Sequence, residues 1–264
     1  MRLLLEPEGV GTLDELLAAG RAASTEGLDG VLLAPSPELP SPLVVAAALA
    51  ADVADILIAV DVPIGDRHPL EVAEEAAVVD LGSGGRLILV VRPARGTEHV
   101  FEEALDLLRT ALAARPFRWP GPHWPTPANL PENVNNPEER TRMMPPPSQP
   151  RLTIWGGAGA GAAAVARGLG HLAGEDEDGD SLGRLWAGEG AAGLGAPRGR
   201  RERWWGAEQL VERLRAGRDQ FGQDWASVLA SVDAAAELGR KVRPQVQLDV
   251  LPPGLEEHWE GYLR

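Results

Sequence analysis

The stretch ADILIAVDVPIGDRHPLEVAEEAAVVDLGSGGRLILVV, residues 54–91, decides the fold. Ile56 to Val60 is a short apolar run with the length and β-branched content of a strand. His68 to Val79 reads as a helix, with Pro69 where a first helical turn tolerates it. Arg86 to Val91 is almost purely Leu, Ile and Val, as expected of a strand buried on both faces. Strand, helix and buried strand in succession are the pattern of a parallel sheet whose crossovers are helical.

The pattern extends outward in both directions. Towards the N-terminus, Leu3–Leu5 is a first strand. Thr12 caps a helix running to about Glu26, with Glu15 completing a capping box and Gly27 ending it. Gly30 to Ala34 is a second strand, followed by a Pro-rich turn and an Ala-rich helix over Ser41–Val53. Towards the C-terminus, a helix from about Glu98 to Ala114 repeats Val100, Leu105, Leu108 and Leu112 near helical spacing. Periodicity then stops from Arg115 to Pro150. A connection this long in a compact domain is usually functional or disordered. Its crowded Trp and Pro residues predict packing against the body of the protein, as a lid would pack. Leu152 to Trp155 forms a fifth strand, and Gly156-Gly157-Ala158-Gly159 opens a helix ending near Leu169. His171 to Ala173 is a very short sixth strand. Residues 174–205 read as irregular, starting with the acidic run Glu175-Asp176-Glu177-Asp178. Ala207 to Phe221 is a clear helix. Val228 to Val232 is either a seventh strand or part of a helix reaching Leu238. Val246 to Val250 is expected as the last strand and Leu255 to Leu263 as the closing helix.

The sum is one domain over residues 1–264. It reads as a (β/α)8 TIM-type barrel shortened in its second half, with a long Pro/Trp-rich loop over 116–150 between units four and five. Its length of 264 residues suits the roughly 250 that such a barrel takes. A net charge of −14 repels phosphate backbones and anionic lipid, so no nucleic-acid and no membrane partner is expected. The chain has no cysteine, which removes disulfides, thiolate metal sites and thiol nucleophiles. The apolar run at Leu3–Leu5 stops at Glu6 and Pro7, too short for a secretory signal, and a cytoplasmic location is expected.

The opening stretch also resembles the third and fourth βα units of the bacterial luciferase-like monooxygenases and their deazaflavin-dependent relatives. The resemblance rests on His68-Pro69, Ala73-Glu74-Glu75, Asp80 and Ser83-Gly84-Gly85-Arg86. The segments EGLDGVLL, PRLTIWGGAGAGAAAVARGLGH and QVQLDVLPPGLEEHWEGYL are similar to the second, fifth and last units. The resemblance implies an oxidoreductase or monooxygenase that uses FMN or a deazaflavin on a small-molecule substrate, and a homodimer. The alternative is a degenerate, non-catalytic barrel that binds a ligand or serves as a partner subunit, with or without cofactor.

In such a barrel the site lies where the strands end, here Glu6, Ala34-Pro35-Ser36, Asp61, Arg92-Pro93, Gly156-Gly157-Ala158 and Asp249. Asp61, Arg92, Gly156, Gly157, Ala158 and Gly159 are the expected cofactor-binding residues. The resemblance puts a phosphate at Gly156–Gly159, where bare backbone N–H groups open a helix; a tight turn needing glycine for geometry is the structural reading. Arg92 and Arg95 could fork an anion or stand as solvated charges beside Glu98. His68 reads as a capping residue rather than an acid–base group, and His123 as a packing residue or a lid residue entering the mouth. Asp249 faces either the barrel interior or the helices. His171 and His258 with Glu175 or Glu257 form no metal spacing, and no metal is expected. Two strand ends depart from the family pattern. No ionisable group follows strand two until Glu38, and Val90-Val91-Arg92-Pro93 replaces a glycine-rich turn after strand four. No catalytic side chain is assigned.

Overall fold

The computed structural model of the protein describes residues 1–127, 140–174, 177, 198–221 and 223–246. Eight parallel strands close into a barrel in chain order, with the eighth pairing back onto the first. The strands are β1 (Arg2–Pro7), β2 (Gly30–Leu33), β3 (Leu57–Ile64), β4 (Leu87–Pro93), β5 (Thr153–Gly156), β6 (Gly170–Ala173), β7 (Arg198–Arg203) and β8 (Trp225–Ala230). The helices are α1 (Leu13–Thr25), α2 (Pro42–Asp52), α3 (Pro69–Ser83), α4 (Phe101–Leu112), α5 (Gly161–Ala166) and α6 (Ala207–Phe221). The last helix among the described residues, α7, opens as Ala235–Glu237, widens into a π-helical turn over Leu238–Val242 and closes as Arg243–Val246.

Local chemistry accounts for the first half. Thr12 and Glu15 exchange hydrogen bonds as a capping box at the start of α1. His68 Nδ1 accepts from the Leu70 N–H at 3.2 Å, so this histidine caps α3. Asp80, Ser83 and Arg86 of the family-like series fasten the N-terminal end of the barrel. Arg86 donates from Nε to Ser83 O, from Nη1 to Ile56 O and from Nη2 to Ala50 O. Asp80, fully buried, accepts from the Gln149 N–H at 2.8 Å and from its Nε2 at 2.6 Å. These residues hold elements together and touch no site.

Side chains separate into two apolar clusters, one between sheet and helices and a smaller one inside the barrel. Inside, Trp155 and Trp225 meet edge to face with centroids 4.7 Å apart. They fit because the neighbouring strands offer no side chain there. A Cβ on Gly170 would stand 2.4 Å from Trp155 Cδ1.

The second half differs from the sequence expectation. The seventh strand is Arg198–Arg203, inside the segment read as irregular, and Trp225–Ala230 is the eighth strand rather than a seventh over Val228–Val232. The sequence RGRRER carries no apolar alternation. It forms a strand because its inward Arg201 meets carboxylates across the barrel while its outward Glu202 pairs with Arg213 of α6 at 2.6 Å. Of the strand expected over Val246–Val250, only Val246 is described. Val246 is helical, and its carbonyl accepts from the Met1 amino group at 3.0 Å. Residues 247–250, with Asp249, and the closing helix expected over Leu255–Leu263 lie outside the described residues.

The Pro/Trp-rich loop leaves α4 at the N-terminal end of the barrel and runs back to the helix's first turn. Antiparallel bridges join Phe117 to Thr141 and Trp119 to Thr126. In the turn closed by the Trp119–Thr126 bridge, Glu103 of α4 accepts from the His123 N–H at 3.1 Å and contacts His123 Nδ1 at 2.5 Å. His123 thus packs on α4, beside His99 at 6.1 Å between ring centroids, as the packing alternative has it.

Candidate active site

Strand alternation aims every second side chain into the barrel, so the residue two beyond each interior apolar one faces the mouth at the C-terminal strand ends. Leu4 is followed by Glu6, Ala59 by Asp61, Val90 by Arg92, Gly199 by Arg201 and Trp225 by Ser227. A charged layer therefore covers an apolar interior.

The members of that layer are joined. Asp61, with its side chain 3% exposed, accepts from Arg92 Nε at 2.9 Å and from Arg201 Nη2 at 2.7 Å. Arg201 Nε also approaches Glu6 Oε2 at 3.3 Å, and Ser227 Oγ donates to the same oxygen at 3.1 Å. Two carboxylates and two guanidiniums thus neutralise one another in a partly desolvated place, where an unpaired charge would be costly. Arg92 is held by Nε alone. Its Nη1 and Nη2 make no hydrogen bond, and the side chain is 30% exposed at the mouth. A fork held from behind and free in front is suited to a planar oxyanion or a ring carbonyl. Asp61 thus draws Arg92 onto β3, while Arg201 reaches the same carboxylate from β7 across the barrel.

Of the expected residues, the structure brings Asp61, Arg92 and Gly157 together; a Cβ on Gly157 would lie 3.7 Å from Arg92 Cβ. The glycine turn beside them is partly committed to structure. The Gly157 N–H donates to Val91 O at 2.7 Å, and a Cβ on Gly156 would stand 2.5 Å from Ala164 Cβ. Ala158 is half-buried. Gly159 has φ +74°, and its N–H donates to the Glu177 carboxylate at 3.2 Å. An oxyanion already sits at this amide, so a phosphate here has to displace it. Behind the turn, His171 is buried, and desolvation pushes its imidazole down to about 4; its Nε2 is 3.5 Å from Glu177 Oε2.

Arg201 and Ser227 are missing from the sequence-derived site. Arg201 lies on a strand without apolar pattern, and Ser227 lies one residue before the expected start of its strand. Arg95 does not join the layer. After β2, Ser36 Oγ donates to Glu38 Oε2 at 2.5 Å. A cavity of about 300 Å³ opens there, lined by the acids Glu6, Glu8 and Glu38 and by Leu16, Leu32 and Leu39 among others. Among the described residues, no helix is long and apolar enough to cross a membrane.

The sequence model of the luciferase-like monooxygenases matches residues 4–179, which include the Asp61–Arg92 pair and the glycine turn. The chain belongs to that family. Solved structures of similar fold include the monooxygenase RslO1 of Streptomyces bottropensis, 15% identical, covering 94% of this chain and 99% of that one with a TM-score of 0.73. The oxygenating constituent of 3,6-diketocamphane monooxygenase from Pseudomonas putida, in complex with FMN, is 14% identical over 96% of this chain and 99% of that one, TM-score 0.70. The coenzyme F420-dependent tetrahydromethanopterin reductase of Methanopyrus kandleri is 12% identical over 93% and 99%, TM-score 0.68. At these identities the likeness is one of fold. None of the curated proteins matches the sequence significantly.

Proposed function

We propose that this luciferase-like barrel is an oxidoreductase of the monooxygenase type, using FMN or a deazaflavin on a small organic substrate. The supporting observation is the charged layer at the mouth, where Asp61 aims the free fork of Arg92 at the space over the strand ends. The donor set fits the ring of either cofactor: guanidinium donors on one side and small residues, Ala34, Gly157 and Ala158, on others. When bound, the ring would supply the hydride chemistry that no side chain here offers. Arg92 and Arg201 would donate to its carbonyl edge, Asp61 would hold both guanidiniums, and the amides of Gly156–Gly159 would receive the phosphate once Glu177 swings away. The cavity of about 300 Å³ beside Glu6, with Leu16, Leu32 and Leu39 on its apolar side and Glu8, Ser36 and Glu38 on its polar side, is the place proposed for the substrate.

Titration of the purified protein with FMN and with F420, followed by absorbance and fluorescence, tests this. Saturable binding of one of them, weakened at least tenfold in Arg92→Ala and tightened in Glu177→Gln, is the expected result. Failure of both cofactors to bind, in the wild type and in Glu177→Gln, would overturn it in favour of a non-catalytic barrel. We also propose a homodimer, supported by Val44 of α2 and by Val78 and Leu81 of α3, which stay 53–56% exposed on adjacent helices. A cytoplasmic setting is proposed because a chain without cysteine uses nothing that an oxidising compartment provides.

A further inference from the structure

At the end of the barrel opposite the mouth, a groove of about 630 Å³ lies between the last turn of α4, the end of α5 and the residues entering β5. Its volume is about twice that of the cavity at the mouth and within the range of small-molecule sites. Leu112, Leu152, Ile154 and Leu169 give it apolar walls, and Arg109, Arg115, Arg151 and Arg167 contribute its charge. Among the described residues no carboxylate lines it, although acidic residues outnumber Lys and Arg by 39 to 25 in the chain.

Part of this charge has a structural task. Two helix C-termini converge on the groove, and a cation there offsets their partial negative charge. Arg167 is also committed to Asp106, with two contacts of 2.7 Å, and to Glu102 at 3.1 Å. Arg109 keeps a looser contact with Asp106 at 3.5 Å. Arg115 and Arg151 are different. They are exposed, lie beyond both helices, and among the described residues make neither an ion pair nor a side-chain hydrogen bond.

We infer that this groove binds an amphipathic oxyanion, an apolar body ending in a carboxylate or phosphate. Arg115 and Arg151 take the head, and the leucine-lined walls take the body. The charge surplus excludes cations, the apolar walls favour an organic anion over an inorganic one, and the forked guanidiniums suit either head group. The site shares no residue with the mouth and does not depend on what the mouth binds.

Calorimetric titration of the whole chain at low salt, with octyl phosphate, octanoate, octanol and inorganic phosphate below micelle-forming concentrations, tests it. One equivalent of octyl phosphate or octanoate is expected to bind with Kd of about 10–100 µM, and the tighter of the two identifies the preferred head group. Octanol and inorganic phosphate are expected to bind at least tenfold more weakly. Arg115→Ala/Arg151→Ala, changed only at exposed positions, should keep the wild-type circular dichroism and lose at least tenfold in affinity. Arg92→Ala should bind as the wild type does. Octanol binding as tightly as the anions, an unaffected double variant, loss of binding in Arg92→Ala, or no binding by either amphiphile would each overturn the inference.

Discussion

Asp61 carries more of the mouth than any other single side chain, because both guanidiniums depend on it. Replacing it with Ala leaves Arg92 without a counter-ion and Arg201 with only Glu6, and removing one partner of a buried pair costs about 3 kcal/mol. Urea unfolding of Asp61→Ala checks this, and a loss under about 1 kcal/mol would show that the guanidiniums simply rehydrate. His171 makes a different prediction. Its imidazole is held neutral by burial, with a folded value of about 4 against about 6.5 when unfolded. Below pH 6.5 the unfolded chain gains a proton that the folded chain refuses, so stability falls as the pH drops towards 4, by roughly 3 kcal/mol in all. His171→Asn should flatten this acid limb in a series of melts between pH 4 and 7. Asp61 and Arg92 were legible in the sequence because they follow plainly apolar strands. Arg201 was not, since nothing in Arg-Gly-Arg-Arg-Glu-Arg marks one guanidinium as interior.

Among the elements, those specified by local chemistry match their sequence expectations best. α6 matches end to end, and α1 begins at its capping box. β7 and β8 were misplaced because their inward residues are Gly, Arg, Trp and Ser, so neither shows the period-two apolar pattern on its inner face. The Pro/Trp-rich loop is held over Trp119–Trp124 by Glu103. Burial acts to raise the carboxyl of Glu103, but hydrogen bonds from His123, Trp119 and Trp124 outweigh it and hold the group below its ordinary value. Glu103→Gln keeps the shape and removes the charge that these donors favour. Trypsin cleavage after the exposed Arg118 is expected to quicken several-fold, as hydrogen bonds to charged groups contribute about 1.5–3 kcal/mol. Unchanged cleavage would mean that the buried Phe117 and Met143 hold the loop unaided.

For the whole molecule, the closed barrel and the family follow from residues that fasten its N-terminal end, Asp80, Ser83 and Arg86, far from the mouth. That is why the fold was legible where the reaction was not. The proposed dimer is a property at this scale. Val78→Glu on α3 places a charge in the exposed apolar patch and should halve the mass measured by light scattering, with the melting temperature little changed for the monomer; an unaltered mass would move the interface elsewhere. The strand β7 has a consequence of its own. Its side chains grip their surroundings through ions, so its cohesion weakens with ionic strength, whereas the leucine-rich strands are indifferent to it. The barrel therefore has a seam, and the seam carries Arg201. In hydrogen exchange at rising salt, the amides of Arg198–Arg203 should lose protection before those of β3 and β4, and the mouth should lose half its cationic charge in the same opening.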